Sequence, residues 1–187
     1  VKATSKSPSS VRILAGRWKG KRLDVPPGAR PTSGRAREAL FDILQDSVVG
    51  ARVLDLYAGS GAIGLEALSR GAAGTVFVET ERRALDVNLS RCAPDPATVE
   101  VFGGDARRAV DVFSREGRRF DFVFADPPYS RGVSALSASV GNLVAPGGRL
   151  VLQTDSDEES PEFAGLSPTG RRAYARNVLW LFERSGA

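Results

Sequence analysis

From Ala51 onward the chain repeats one pattern: a short apolar run, a stretch with helical spacing, then another apolar run. The runs are "RVLDLY" (52–57), "TVFVE" (75–79), "TVEVFGG" (98–104), "FDFVFA" (120–125) and "RLVLQT" (149–154). Helical patterns fill 62–71, 81–92, 105–116 and 132–144. Parallel strands need a crossover of a dozen or more residues, and near-continuous apolar runs suit strands covered on both faces. The spacing therefore predicts an α/β fold, a mostly parallel sheet with helices on both sides. "APGGR" (145–149) reads as the turn before the fifth strand, and "DSDEESPEF" (155–163) as an acidic surface loop. The closing "RRAYARNVLWLFER" alternates with a period of two, which predicts a terminal antiparallel hairpin.

Ahead of this repeat, "VRILAGRWKGKRLDVPPG" reads as two short strands near 11–15 and 21–25 around a turn at Trp18 to Gly20. Pro26, Pro27 and Gly28 end that unit. Thr32 and Ser33 are candidate N-caps for a helix whose apolar face is Ala36, Ala39, Leu40, Ile43 and Leu44. The expected organisation is a flexible tail (1–10), a basic β-hairpin extension (11–30) and one main domain (31–187). Residues 1–40 hold ten Lys or Arg against Asp24 and Glu38, whereas the remainder holds 16 basic against 20 acidic residues. Such asymmetry points to a polyanion contact at the basic end, with Arg12, Arg17, Trp18, Lys19, Lys21, Arg22 and Arg35 as its candidates.

Absences narrow the chemistry. The 187 residues include no His and one Cys, which excludes a Ser-His-Asp triad, a Cys-His pair and a zinc site of the usual Cys/His kind. No metal is expected, and Cys92 reads as a small buried side chain. No apolar stretch approaches the length of a membrane helix, and the polar tail lacks the apolar core of a signal peptide, so the expected address is cytoplasmic.

"VLDLYAGSGAIGLEAL" carries Gly59-Ser60-Gly61-Ala62-Ile63-Gly64, a formal G-x-G-x-x-G between strand and helix. Glycines there permit a tight turn and close approach of a ligand at the carboxyl end of the strand. By itself the motif serves a dinucleotide equally well. Glu79 ends the next strand, where its carboxylate can accept hydrogen bonds from both hydroxyls of a ribose. Asp105, after the third strand, can meet an adenine amino group or cap the following helix. Asp55 is the discriminating residue. An acid inside an apolar strand is costly unless paired, and the dinucleotide pattern is apolar there, so an Asp that holds the loop or faces an ammonium favours S-adenosylmethionine over NAD.

The fourth strand closes on "ADPPYSRG" (125–132). Prolines stop a strand because they donate no backbone hydrogen bond, which leaves Asp126 and Tyr129 without a reason.

Taken in order and spacing, the glycine loop, Glu79, Asp105 and "DPPY" resemble the class I S-adenosylmethionine-dependent methyltransferases that act on exocyclic amines. More narrowly, "RILAGRWKGKRLDVPPGARPTSGRAREALFDIL" resembles the N-terminal region of the RsmD-type 16S ribosomal RNA guanine-N2 methyltransferases. The resemblance implies a Rossmann-like sheet of seven strands and methylation of one guanine in small-subunit ribosomal RNA during subunit assembly. It implies that Ala58, Gly59, Ser60 and Gly61 wrap the methionine part of the cofactor, that Glu79 binds its ribose, and that Asp105 with Ala106 meets its adenine. It also makes Thr32 a plausible cofactor contact. Each residue of the motif then has a chemical role. Asp126 and the Pro127 carbonyl accept the two N–H bonds of the amine, Pro128 stiffens the turn, Tyr129 stacks on the base and Arg131 forms a basic lip. Three alternatives remain open at this level: another amine methyltransferase (DNA adenine N6 or a different RNA guanine N2), an NAD(P)-dependent oxidoreductase, and a non-catalytic RNA-binding assembly factor. A monomer is expected.

Overall fold

The computed structural model describes residues 10–28, 32–128, 138–155, 161–174 and 177–186. Tyr129, Arg131 and most of the tail lie outside the described residues. Two strands, β1 (Ser10–Arg12) and β2 (Arg22–Asp24), form an antiparallel pair. The connection between them contains a 3-10 turn, Gly16–Trp18, so the strands are shorter than the sequence suggests. Helix α1 (Gly34–Leu44) follows, with the Ser33 hydroxyl accepting the Ala36 N–H as its cap.

Seven further strands make one sheet: β3 (Arg52–Leu56), β4 (Gly74–Glu79), β5 (Val99–Gly103), β6 (Phe120–Ala125), β7 (Val144–Asp155), β8 (Ser167–Tyr174) and β9 (Asn177–Glu183). Between them lie α2 (Ala62–Ser69), α3 (Arg83–Cys92) and α4 (Ala106–Arg115). The order across the sheet is β5-β4-β3-β6-β7-β9-β8, parallel except at β9, which pairs antiparallel with both neighbours.

Period-two alternation sorts the sheet residues into two cores. Val53, Phe77, Phe122, Phe124 and Val151 face α1, α2, α3 and the hairpin residues Ile13, Trp18 and Leu23. Leu54, Leu56, Val78, Val123 and Leu152 face α4 and the 3-10 segment Ala138–Leu143. Two expectations are corrected here. "APGGR" is not a turn ahead of β7; Pro146, Gly147 and Gly148 sit inside the strand as an irregularity, with Gly147 at φ 72° and a register shift against β6. The segment 132–144 is described only from Ala138, as 3-10 helix.

Strand order reverses between β3 and β6, and their connections leave in opposite directions. That divergence opens a crevice at the carboxyl ends of the strands, the position where open α/β sheets hold ligands. No helix among the described residues is long and apolar enough to cross a membrane.

Candidate active site

At the tip of β3 the backbone turns sharply. Tyr57 has φ 61°, an uncommon conformation for a residue with a Cβ, and Gly59 and Gly61 follow at 55° and 74°. Gly61 also packs closely, since a Cβ there would stand 2.6 Å from Leu85 Cδ1 and push that side chain aside. Asp55 is 1% exposed, and its Oδ2 accepts the Gly64 N–H at 2.9 Å. A carboxylate is thus already seated on the first turn of α2, where a pyrophosphate would otherwise bind. Glu79 holds the loop from the other side, accepting the Gly59 N–H at 2.6 Å and the Glu81 N–H at 2.9 Å. A carboxylate offers about four acceptor positions, so these bonds leave capacity for a ligand.

The loop forms one wall of a cavity of about 510 Å³, a volume within the usual range for cofactor sites. Opposite stand Asp126, Pro127 and Pro128, directly after β6, with Val25, Pro26, Gly28 and Thr32 as a flap from the N-terminal segment. An adjoining cavity of about 410 Å³ shares Tyr57, Glu79, Thr80 and Pro128, and is closed by Gly104, Asp105 and Ala106. Asp105 caps α4 by accepting the Arg107 N–H at 2.9 Å while its residue lines this second cavity. The sequence expectations Thr32, Asp55, Ala58, Gly59, Ser60, Glu79, Asp126, Pro127 and Pro128 all line the first cavity, and Asp105 and Ala106 the second. Gly61 shapes the loop from behind, against Leu85.

Asp55, Glu79 and Asp126 converge on this space, and its described lining contains no Lys or Arg. Burial raises the Asp126 carboxyl to about 7, against hydrogen bonds from Gln153 and Thr32 that favour its ionised form. Burial likewise lifts Asp55 to about 7; the Gly64 N–H opposes the rise, and the charges of Asp126 and Glu79 add to it. Such a pocket repels a dinucleotide's phosphates and suits a ligand that carries positive charge. S-adenosylmethionine, with a sulfonium and an ammonium, fits that electrostatic character and the two-chambered shape.

Trp18 requires correction as a base-stacking candidate. It is 6% exposed and packed in the core, its backbone N–H bonded to Ser69 Oγ at 2.9 Å. Arg12, Arg17, Lys19, Lys21, Arg22 and Arg35 are exposed as expected.

Sequence reasoning missed what seats the hairpin. Glu66 is fully buried and accepts the Leu14 and Ala15 N–H groups at 2.7 and 2.9 Å, with Arg70 at 2.8 Å and Arg37 at 3.9 Å. Asn88 accepts the Asp24 N–H at 2.8 Å and donates to the carbonyls of Asp24 and Ser60, which joins the hairpin to the glycine loop. Gly16 lies so near the end of α2 that a Cβ there would overlap the Ser69 carbonyl. Tyr57, Thr80 and Phe124 were also missed as lining residues.

An antiparallel strand inserted between β7 and β8 distinguishes this sheet from the dinucleotide-binding order. Together with the acid-lined glycine loop, it defines the class I S-adenosylmethionine-dependent methyltransferase fold. A 16S rRNA N2 G1207 methyltransferase of Thermus thermophilus, solved with S-adenosylmethionine and guanosine, shares this fold with a TM-score of 0.69 and 23% identity, over 95% of this chain and 50% of that one. The chain belongs to the RsmD-type methyltransferase family: the family model described as Conserved hypothetical protein 95 matches residues 11–183. Ribosomal RNA small subunit methyltransferase D of Escherichia coli is 43% identical over 129 residues, 66% of this chain and 62% of that protein. The Haemophilus influenzae protein of the same name is 32% identical over 165 residues, covering 83% and 84%. The chain thus aligns with somewhat under two thirds of the Escherichia coli relative's length.

Proposed function

We propose that this protein transfers a methyl group from S-adenosylmethionine to the exocyclic N2 amine of a guanine in 16S ribosomal RNA. In this reading it acts in the cytoplasm, as a monomer, on RNA within an assembling small subunit. The observation that carries the proposal is the cavity in which the glycine loop and two carboxylates, Asp55 and Glu79, face Asp126-Pro127-Pro128 without an intervening basic side chain among the described residues.

When bound, the cofactor supplies a methyl group already activated by a sulfonium, which ends as a neutral thioether. Residues of the chain therefore have little to activate and much to align. Glu79 and the loop backbone would hold the donor, with Asp105 and Ala106 at its adenine end. Asp126 and the Pro127 carbonyl would accept the two amine N–H bonds, turning the nitrogen lone pair toward the methyl and stabilising charge as it develops on nitrogen. Proline suits that second position because it offers no competing N–H. Alignment of this kind is worth about 7 to 11 kcal/mol in well-oriented intramolecular reactions. The proton released after transfer passes to Asp126 or to water.

A guanine that reaches this cavity must leave its stack, so the target is a loop or an extruded nucleotide. The exposed basic residues of the hairpin, with Arg35, would grip neighbouring phosphates. Family membership and the names of the relatives support small-subunit ribosomal RNA as the substrate. The test is transfer of tritiated methyl to small subunits lacking the modification, followed by mapping of the labelled base. Label on N2 of one guanine is expected; label on adenine N6, or no label in RNA, would overturn the proposal.

A further inference from the structure

Gln153 lies in β7, one residue beyond the pair Ala125↔Leu152, so the sheet register sets it alongside Asp126. It is 1% exposed, and β9 covers its other side through the pair Gln153↔Leu179. An amide inside "RLVLQT" is expensive to bury unless its polar atoms are used. Its Nε2 donates to Asp126 Oδ2 at 2.9 Å, while Oε1 is buried without a hydrogen-bond partner. The Thr32 hydroxyl donates to the same Oδ2 at 3.3 Å. Both protein donors thus converge on one carboxylate oxygen. Asp126 Oδ1 receives no hydrogen bond from the described residues, and the side chain lines the cavity.

We infer that Gln153 is a positioning residue for methyl transfer: with Thr32 it fixes Oδ2 of Asp126, so that Oδ1 is the oxygen that meets the amine. The inference rests on the methyl-transfer reading given above. When Oδ1 takes up the proton shed by the methylated nitrogen, Oδ2 remains a carbonyl-type acceptor, so Gln153 Nε2 and the Thr32 hydroxyl can hold the carboxyl group in both protonation states. Among the described lining residues the other ionisable groups are Asp55 on β3, Tyr57 at its tip and Glu79 at the end of β4, and none of them is a cation that could do the same work. Hydrogen bonds to the ionised form, from Gln153 and Thr32, are what oppose the rise that burial imposes on the Asp126 titration.

The test is the titration of Asp126 read by carboxyl carbon resonances in protein labelled at aspartate, with Asp126→Asn to assign the signal. Gln153→Met keeps the side-chain volume and removes both polar atoms. It should move the Asp126 midpoint upward by about one pH unit and lower kcat about tenfold, leaving the S-adenosylmethionine Kd unchanged. Thr154→Val is the control: Thr154 accepts the Trp180 indole N–H at 3.0 Å and does not bond to Asp126, so its loss should leave the midpoint in place. If Gln153→Met does not fold, Thr32→Val removes the longer bond to the same oxygen and should give a smaller shift in the same direction. A midpoint unmoved in the folded variant, or a shifted midpoint with unchanged kcat, overturns the inference. Failure of the functional reading is separate, since it would appear as absence of methyl transfer by the unaltered protein.

Discussion

In the cavity at the carboxyl edge of the sheet, Asp55, Glu79 and Asp126 face inward and the backbone of the glycine loop is fastened to two of them. In the hairpin the arrangement is reversed. Its own charges, Arg12, Arg17, Lys19, Lys21 and Arg22, face water, and the polar groups that fasten it, Glu66, Ser69 and Asn88, belong to α2 and α3. Buried charge needs a fixed partner because desolvation magnifies any misplacement, whereas exposed charge acts over a Debye length and needs only the right sign. The cavity is accordingly built for geometry and the hairpin for attraction. Asn88 touches both, since one amide bonds Asp24 in β2 and the carbonyl of Ser60 in the loop.

The largest expected effect tests the inward side. Asp126→Ala should reduce methyl transfer by about 10³-fold while the S-adenosylmethionine Kd changes less than about twofold; single-turnover rates and calorimetry on the same preparation check both halves. Next comes the seat of the hairpin. Glu66→Ala leaves two backbone N–H groups without their acceptor and two arginines without a counter-charge, so equilibrium urea unfolding should report a loss of about 3 to 5 kcal/mol. A loss under about 1 kcal/mol would mean that the hairpin is held by packing alone.

A smaller effect follows from the pH dependence of the buried acids. Asp55 and Asp126 titrate near 7 in the folded protein, above their ordinary value of 3.8. The native state binds more protons than the unfolded chain between those values, so stability contributed by these groups is fully present below about 4 and is lost as the pH rises through about 7. Asp55→Asn keeps an oxygen for the Gly64 N–H and removes the charge. Relative to the unaltered protein it should gain about 2 kcal/mol at pH 8 and little at pH 4, with weaker cofactor binding as the counterpart. Equal pH profiles for the two proteins would show that Asp55 carries no buried charge. The smallest effect belongs to the outward side: charge reversal at Arg17, Lys19 and Arg22 should flatten the salt dependence of RNA binding, by about 0.7 to 0.9 in log-log slope for each phosphate no longer neutralised. A slope that does not move would place the RNA grip elsewhere.

The sheet was legible because parallel strands buried on both faces leave continuous apolar runs, as in "TVFVE" and "FDFVFA". The glycine loop, Asp55, Glu79 and Asp126 were legible because each sits at a strand end where packing alone gives an acid or glycine no reason. What sequence reasoning missed shares a different property. Glu66, Ser69 and Asn88 read as ordinary helix residues because their partners are backbone groups some fifty to sixty residues away, which no local pattern encodes. Trp18 misled because an aromatic among arginines looks the same whether it stacks on a base or fills a gap beside α2. Pro146-Gly147-Gly148 read as a turn because its residues are turn residues, yet β6 pairs with the strand on both sides of it, at Val144 and at Arg149. Gln153 did leave a trace, one amide in an otherwise apolar strand next to Thr154, but only the register shows that it reaches Asp126.

The claim that joins these results is that an acid-lined cavity selects a cationic methyl donor, and calorimetric titration of the whole chain with S-adenosylmethionine and, separately, NADH tests it most directly. The account predicts saturable binding of S-adenosylmethionine, weakened by Asp55→Asn, and no detectable binding of NADH. Tight binding of NADH with none of S-adenosylmethionine would contradict it.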